Sequence, residues 1–295
     1  MTDKNPNLAP APSQGVISGR LVKIGQLGVR RMLPSGRLRK VSPWVFFDHV
    51  GPASMTLNSS MDVRPHPHCG LSTVTWFWKG EMIHRDSLGH VRRIVPGELA
   101  WMRSGHGIVH SERFPPELQG QTVEMEGVQL WCAHPDGEEE QEPSFQVWTE
   151  QTRFEQGACW VHLHAGHGWG QESPVNVTSP LVFASVEIPA GGVLMAPDHE
   201  ECCAYVLQGM ATVGGRLLQT HQLCAVDRDD AEIRSAHGAR VMFLGGDAIG
   251  PRRLWWNLVH SDPQRLVEQA ERWRRGGFPE IPGDNEEWVP APSGP

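Results

Sequence analysis

The sequence predicts an all-β protein built from two similar units in tandem. Its 295 residues include 32 Gly and 24 Pro, a content that suits short strands separated by turns and not long helices. Runs rich in β-branched and aromatic residues recur at intervals of about 8–12 residues, as in sandwiches and barrels. The segments TWFWKGEM at 75–82 and AYVLQGMA at 204–211 each break a strand at a glycine, which indicates that one β unit occurs twice.

In the first half, strand patterns begin after a polar tail. Residues 1–15 are rich in proline and have neither the basic nor the apolar region of a signal peptide, so we predict a disordered tail. Alternation runs from Val16 to Leu33, and a short apolar strand from Val45 to Val50 ends at Gly51-Pro52. Further strands are predicted at 71–78, 81–86, 92–95, 99–102, 108–110 and 127–132. Residues 16–135 form the predicted N-terminal domain.

A polar stretch separates the two halves. It spans residues 136–145 and contains Glu138-Glu139-Glu140, which we interpret as a solvated linker. Strand patterns resume after it, at 159–163, 181–188, 203–207, 211–213 and 241–244.

One helix is predicted near the C-terminus. Ser261-Asp262-Pro263 provides an N-cap and a proline at the first helical position, and Gly276-Gly277 provides a stop. The residues on its core-packing face are Leu266, Ala270 and Trp273. Residues 146–295 therefore form a second β domain that ends in a helix and a tail.

Charge, cysteine content and hydropathy narrow the classes of function. With 34 acidic against 26 basic residues the net charge is −8, which disfavours direct binding of nucleic acid. The six cysteines form no regular framework, which indicates free thiols in a reducing cytoplasm. No run approaches the ~18 apolar residues of a membrane span. We expect a cytoplasmic monomer without membrane association.

The motifs His66-Pro67-His68 and His110-Ser111-Glu112 indicate a metal site. Residues i and i+2 of a strand point to the same face, so each motif can send two side chains into one cavity. Two such strands facing each other would supply four ligands. Three neutral imidazoles and one carboxylate suit Fe, Mn, Ni, Cu or Zn and leave coordination positions open. A single His-x-His pair would be a weak signal, because such pairs often arise by chance.

Turn residues beside the two motifs support their interpretation as a metal site. Gly80 closes the strand after the first motif, Pro96-Gly97 marks a tight turn, and Gly105-x-Gly107 precedes the second motif. This arrangement resembles the two-part signature of the cupins. Ser72 and the threonine after it stand where that signature has its carboxylate, and Glu112 can fill the vacancy from the facing strand.

Longer segments narrow the resemblance to the pirins, a family with two cupin domains. The segments similar to the family pattern are FFDHVGP (46–52), HPHCGLSTVTWFWKGEMIHRDSLGH (66–90), PGELAWMRSGHGIVHSE (96–112), VQLW (128–131), WNLV (256–259) and RLVEQAERWRRGGFPEIPGD (265–284). They cover most of residues 16–290. The resemblance implies two tandem jelly-roll cupin barrels and a mononuclear iron in the N-terminal one. The ligands that it implies are His66, His68, His110 and Glu112.

Several positions depart from the family pattern. Cys69, Leu71 and Ser72 replace a basic residue, a Phe and a Glu, and Arg103 and His106 lie in the segment that leads to the second motif. These differences can change the shape and charge of the pocket. Cys69 itself is expected to point away from the ligands and to pack as a small residue.

The remaining histidines have structural alternatives. His84 and His106 are candidates for partners that orient a ligand imidazole, with a purely structural role equally open. Strand alternation explains the run of His162, His164 and His167 without a metal. His199 has Glu201 where a second histidine would be needed, so the second cupin is expected to be metal-free.

The resemblance implies activity of the quercetin 2,3-dioxygenase type. Fe(II) is the first choice of metal, with Mn, Ni, Cu or Zn as alternatives, and it would orient the enol oxygen of a flavonol. Glu112 would take the enol proton as general base, and dioxygen would open the heterocycle with release of carbon monoxide. The partners would be a small flavonol-like aromatic substrate and O2. Trp76, Phe77 and Trp78 offer aromatic walls.

A non-enzymatic role is the alternative. The same four ligands would serve a metal- or redox-dependent regulator that binds a transcription factor or a metabolic enzyme. Another metal-dependent reaction, such as an isomerisation or a decarboxylation, is the third possibility. We favour the dioxygenase.

Overall fold

The structure is a computed structural model that describes residues 15–24 and 26–294. Except for Gly15, the predicted disordered tail lies outside the described residues. The strands of the first half are β1 Ile17–Ser18, β2 Arg20–Ile24, β3 Leu27–Leu33, β4 Trp44–Thr56, β5 Val63–His68, β6 Leu71–Lys79, β7 Met82–Asp86, β8 Val91–Ile94, β9 Leu99–Arg103, β10 Ile108–Arg113, β11 Thr122–Ala133 and β12 Ser144–Trp148. Short 3-10 helices span Ser59–Met61 and Pro116–Leu118.

The second half continues the β pattern and ends in the predicted helix. Its strands are β13 Thr152–Gln156, β14 Cys159–Gly168, β15 Gln171–Glu172, β16 Leu181–Ile188, β17 Gly192–Met195, β18 Glu201–Val213, β19 Arg216–Gln219, β20 Gln222–Ala225, β21 Glu232–Ser235, β22 Ala239–Gly246, β23 Arg253–Trp255 and β24 Leu258–His260. Helix α1 spans Pro263–Arg274. The prediction of an all-β fold with one C-terminal helix is confirmed.

The first domain contains two antiparallel sheets. One has the strand order β12-β9-β6-β11-β4-β3-β2 and the other the order β5-β10-β7-β8. Buried side chains from both sheets, such as Val29, Phe77, Met82 and Ile94, form one apolar cluster. Because side chains alternate across a strand, each strand of the large sheet also has an outer face, which is free to contact the second domain.

The second domain has a large branched sheet and a separate pair of strands, β23 and β24. The main path of the large sheet is β1-β20-β18-β22-β16-β14-β13, and β15, β17, β19 and β21 attach to this path. The N-terminal strand β1 therefore belongs to the sheet of the second domain, whereas β12 pairs with β9 of the first. The predicted domain boundaries at residues 135 and 146 stay a prediction.

The two domains share an apolar core between their large sheets. Trp44 is fully buried there and makes edge contacts with Trp101 and Phe183, at ring-centroid distances of 6.3 and 6.1 Å. Phe47 makes a similar contact with Tyr205 at 4.9 Å. Aromatic rings bury large apolar areas, so this core holds the domains together.

Two predicted strand limits are wrong. Strand β4 does not end at Gly51-Pro52 but continues to Thr56, because β11 pairs with it on both sides of a register shift between Met125 and Gly127. The strands predicted at 203–207 and 211–213 are one strand, β18. The pairing of β18 with β22 shifts register between Val206 and Gln208, just before Gly209, and the strand continues past this glycine.

The acidic run is only partly solvated, because Glu140 is exposed as predicted but Glu139 is buried. Glu139 is 4% exposed, lies 3.2 Å from Nε of the buried Arg252, and accepts a hydrogen bond of 2.6 Å from the Ser261 hydroxyl. Glu140 pairs with Arg265 at 2.7 Å. A buried carboxylate needs such partners, since an unpaired charge is costly to bury. The run therefore holds the start of the C-terminal segment against the first domain.

The C-terminal helix docks beside the first predicted motif. The Asp262 side chain caps it by accepting a hydrogen bond from the Gln264 backbone N–H. Leu266 and Ala270 are buried against Cys69, as the predicted core-packing face requires. Trp273 is half-buried and packs in an adjoining cluster. In the part of the chain that the structure describes, no helix is long and apolar enough to cross a membrane.

Candidate metal centre

The two predicted motifs lie on neighbouring strands of the small sheet. β5 and β10 are antiparallel and hydrogen-bonded to each other, so the strands are adjacent in one sheet and do not face each other across the domain. His110 is directly opposite His66, which puts both side chains on one face, and His68 follows two residues on. One ligand nitrogen of each of these three histidines lies within 4.8 Å of the other two.

Hydrogen bonds set the tautomers of the first two imidazoles. Nδ1–H of His66 donates to the carbonyl of Arg64 at 2.8 Å, and Nδ1–H of His68 donates to the carbonyl of Asn257 at 2.9 Å. A carbonyl can only accept, so Nδ1 carries the proton and Nε2 keeps its lone pair. Partners of this kind are typical of histidines that bind a metal through the other nitrogen.

The third imidazole is oriented by a chain of polar groups. Nδ1 of His110 lies 3.5 Å from Nδ1 of His84, whose Nε2 lies 3.0 Å from the carboxylate of Asp86. Burial raises the pKa of Asp86, but hydrogen bonds from His84 and the His90 backbone lower it overall, so Asp86 is a carboxylate. His84 then donates from Nε2 and accepts at Nδ1, and His110 donates from Nδ1. Nε2 of His110 is left with a lone pair.

One nitrogen atom of His110 tests whether the site fits a metal ion. Nε2 of His110 is buried and has no hydrogen-bond partner in the part of the chain that the structure describes. Burial lowers the pKa of His66 to about 4 and the pKa of His68 and of His110 well below the usual value. All three rings are therefore neutral near pH 7, as a metal ligand must be. Three neutral imidazoles that converge through free lone pairs fit a divalent transition metal.

Glu112 lies next to this cluster, but its carboxylate is not within 4.8 Å of all three histidine nitrogens. It lies on the same face of β10 as His110 and lines the same pocket as the three histidines. Burial raises the pKa of its carboxyl group to about 7. Ser72, at the usual position of the cupin carboxylate, is turned away and forms a hydrogen bond of 2.8 Å with Nε2 of His134.

The pocket above the histidines has aromatic walls. It has a volume of about 440 Å³, and its aromatic lining residues are Phe46, Trp131 and Trp256. Phe46 and Trp131 are opposite each other on β4 and β11 and stack at 4.0 Å with an interplanar angle of 13°. Arg31 lies over Phe46 at 4.5 Å and forms two hydrogen bonds with Asp48, at 2.8 and 2.7 Å.

The predicted aromatic walls are wrong. Trp76 and Trp78 belong to the core between the domains and Phe77 to the core of the first domain. Strand β6 is not next to the metal strands, so its alternation could not reveal which cavity it lines. The stacked pair could have been suspected from FFDHVGP and VQLW, but only the register of β4 with β11 brings the two rings together.

The sequence departures lie outside the pocket. Cys69 points away from the ligands, as predicted, and packs against Leu258 and Leu266. Arg103 lies 3.7 Å from Glu138, and His106 is half-exposed at the surface, so neither lines the pocket. His84 and not His106 is thus the histidine that contacts a proposed ligand.

The histidines of the second domain have other surroundings. Nε2–H of His199 donates to the carbonyl of His167 at 3.0 Å. Glu201 pairs with Lys40 at 3.2 Å and accepts from the Ser42 backbone N–H at 2.8 Å, and so ties the domains together. That this domain holds no metal stays a prediction.

Comparison with known proteins places the chain in a family. The model of the family named Pirin matches residues 26–132, and that of the pirin C-terminal cupin domain matches residues 183–279. A pirin-like protein of Caulobacter vibrioides is 37% identical over 284 residues, which are 94% of this chain and 98% of that protein. A Pseudomonas aeruginosa protein with the provisional name quercetin 2,3-dioxygenase is 33% identical over 88% of this chain and 83% of its own.

A solved structure supports the same assignment. The crystal structure of quercetin 2,3-dioxygenase from Acinetobacter baumannii superposes with a TM-score of 0.87, at 32% identity and over 95% of both chains. Both β domains of the present chain are therefore cupins, as the resemblance implied. The chain belongs to the pirin family.

Proposed function

We propose that this protein is a metal-dependent dioxygenase of the quercetin 2,3-dioxygenase type. The observation that supports the proposal most is the convergence of three neutral imidazoles at the floor of an open, aromatic-walled pocket of about 440 Å³. Pockets of this size suit small-molecule ligands. Relatives with this activity in their names, one of them solved, support the choice of reaction.

The proposed metal ligands are His66, His68, His110 and Glu112. Fe(II) is the metal we favour, and Mn, Ni, Cu and Zn suit the same donors. When bound, the metal would supply Lewis acidity toward an enol oxygen and redox chemistry toward dioxygen. The protein's own contribution is twofold: burial keeps the three rings neutral, and the carbonyls of Arg64 and Asn257 and the His84 imidazole orient them.

Glu112 is the proposed general base as well as the fourth ligand. In the metal-free protein burial raises the pKa of its carboxyl group to about 7, and a bound metal cation would lower this pKa. The carboxylate is suited to accept the proton of a flavonol's enol hydroxyl, which leaves the substrate as an electron-rich enolate. To act as the base, Glu112 would have to release the metal, and the same group could then return the proton to the product.

The aromatic pair is the proposed platform for the substrate. One face of Phe46 stacks on Trp131 and Arg31 covers the other, so the flavonol would pack against the exposed part of Trp131, which lies 5.0 Å from the His68 ring. A planar flavonol in that position would bring its enol oxygen toward the imidazoles. Arg64, at the rim, carries the positive charge that favours an enolate.

A metal-dependent regulator is the second candidate, and one observation favours it. His68 donates a hydrogen bond to the carbonyl of Asn257 in the C-terminal segment, and the backbone N–H of Val289 donates to the carbonyl of Pro65 in β5. A change at the metal could therefore reach the surface of this segment. The enzyme remains the first proposal because the pocket is open to a small molecule.

Oxygen consumption tests the proposal. The Fe(II)-loaded protein should consume O2 with quercetin. His110→Ala should lose both iron and activity. Glu112→Gln should retain most of the iron and lose at least about tenfold in turnover. His106→Ala, a surface histidine, is the matched control and should behave as wild type.

Metal content measured on the same samples separates loss of iron from loss of chemistry. A wild type with full iron occupancy and no quercetin-dependent uptake would refute the dioxygenase. Capture of a protein partner that depends on the oxidation state of the iron would then support the regulator.

A further inference from the structure

A second cleft lies between the two domains. It has a volume of about 620 Å³ and shares no lining residue with the metal pocket. Trp76 and Trp78 line it from the first domain, and Trp160, His162 and Arg240 line it from the second. Three indole rings and polar groups in one concave space are typical of a ligand site and not of a surface irregularity.

The register of the second sheet explains why this space is polar. On β14 and β16, Trp160 is opposite Glu187 and His162 is opposite Ser185, on the face that is turned to the first domain. The residues between them, such as Val161, point into the core of the second domain. Deeper between the domains the same face also carries apolar residues, such as Leu181 and Phe183, which belong to the shared core.

Four buried nitrogen atoms have no hydrogen-bond partner among the described residues, three on side chains that line this cleft and one on His164 behind it. They are Nε1 of Trp76, Nε2 of His162, Nδ1 of His164 and Nε of Arg240. Trp76 is 3% exposed and His164 4%, and their rings lie 4.3 Å apart. The indole and the guanidinium nitrogens can only donate. Because buried donors are nearly always paired, these two require an acceptor.

The charges of the cleft favour a single negative charge on that acceptor. Arg240 lies 5.0 Å from the ring of Trp78 and forms an ion pair with the buried Glu126, so part of its charge is already compensated. Arg153 adds a second cation to the lining, and Glu187 adds an anion. Burial lowers the pKa of His162 to about 3, so this ring is neutral and adds no charge. A multiply charged anion such as a phosphate would meet too little positive charge here.

We propose that this cleft binds a small aromatic carboxylate. The carboxylate oxygens would accept from Nε1–H of Trp76 and Nε–H of Arg240, and the aromatic ring would pack between Trp78 and Trp160. Such a ligand touches both domains and would strengthen their association. The site is independent of the metal and of the function proposed for it.

Isothermal titration of the iron-loaded protein with 2-naphthoate tests the site. We expect binding by wild type, and binding about tenfold weaker for naphthalene-2-carboxamide, which has the same shape without the charge. Trp76→Phe keeps the ring and removes only the donor, so it should weaken 2-naphthoate about tenfold. Trp256→Phe, which alters the metal pocket, is the matched control and should leave the affinity unchanged.

A crystal structure with 2-naphthoate locates the ligand independently of stability. Density for the carboxylate within hydrogen-bond distance of Trp76 would support the proposal. Three results would overturn it. They are the absence of binding at about 5 mM ligand, a loss of affinity in Trp256→Phe instead of Trp76→Phe, and ordered water alone on the four nitrogens.

Discussion

Replacing His84 by phenylalanine tests how the metal centre is oriented. His84 is the polar partner of Nδ1 of His110, at 3.5 Å, and it stacks on Phe145 at 3.8 Å with an interplanar angle of 7°. A phenyl ring keeps this stack and fills nearly the same volume, but it cannot accept a hydrogen bond. Asp86 keeps its bonds from the Leu88 and His90 backbone N–H groups. The change therefore removes the orienting partner of one ligand and one of the hydrogen bonds to Asp86.

The expected cost is a loss of metal affinity of about 10- to 100-fold. It corresponds to about 1.4–2.7 kcal/mol, which is close to the cost of leaving one buried donor unpaired. Without His84, nothing else in the described contacts of His110 fixes which nitrogen carries the proton. A part of the molecules would then present a protonated Nε2 to the metal.

Competition with a chromophoric chelator at pH 7, under anaerobic conditions, measures the affinity for Fe(II). His106→Phe is the matched control, because His106 contacts Glu142 at the surface and no proposed ligand. His84→Phe should bind Fe(II) about 10- to 100-fold more weakly than this control. If the two variants agree within twofold while both melt as wild type does, the chain from Asp86 to His110 does not orient the ligand.

Three further predictions concern stability. In the metal-free protein, the free energy of unfolding should fall as the pH drops from 6.5 toward 4, because burial lowers the pKa of His66 to about 4 and only the unfolded chain takes up that proton. His66→Gln should remove about 3 kcal/mol of this loss in denaturant titrations. Arg252→Met should cost about 3–5 kcal/mol in the same assay, because it leaves the buried Glu139 without its arginine partner. Gly70→Ala should lower the melting temperature far more than Gly89→Ala, because both have positive φ but only at Gly70 would a Cβ meet a carbonyl of β24, at 1.9 Å.

Each of these outcomes has a result that contradicts it. A flat pH profile above pH 4 would mean that the histidines are not buried as neutral groups. An Arg252→Met protein as stable as wild type would mean that the acidic run does not hold the C-terminal segment. Equal melting temperatures for the two alanine variants would place β24 away from Gly70.

The proposed ligands could be predicted from the sequence because they depend on local geometry. His66 and His68 share a face through the period of a strand, and so do His110 and Glu112, whatever the rest of the fold does. The family resemblance then paired the two motifs. The sequence could not show that their strands are neighbours in one sheet, since the register of β5 with β10 depends on pairing across about forty residues of chain.

The walls of the pocket and the role of the acidic run could not be predicted from local sequence patterns. Trp131 and Trp76 both stand in apolar strands, but one lines the metal pocket and the other the cleft between the domains. From the sequence, Glu139 is interpreted as a surface residue, because its partner Arg252 is more than a hundred residues away along the chain. Both distinctions depend on contacts between distant segments, which periodicity does not encode.

The sequence by itself determined the all-β class, the tandem arrangement, the terminal helix and the metal motifs, because turn residues, alternation and spacing act over a few residues. Only the tertiary structure decided which neighbours those elements meet. It put the stacked Phe46 and Trp131 above the histidines, His84 behind His110, and the C-terminal segment against His68. These contacts arise when sheets and domains pack, so they exist only in the folded chain.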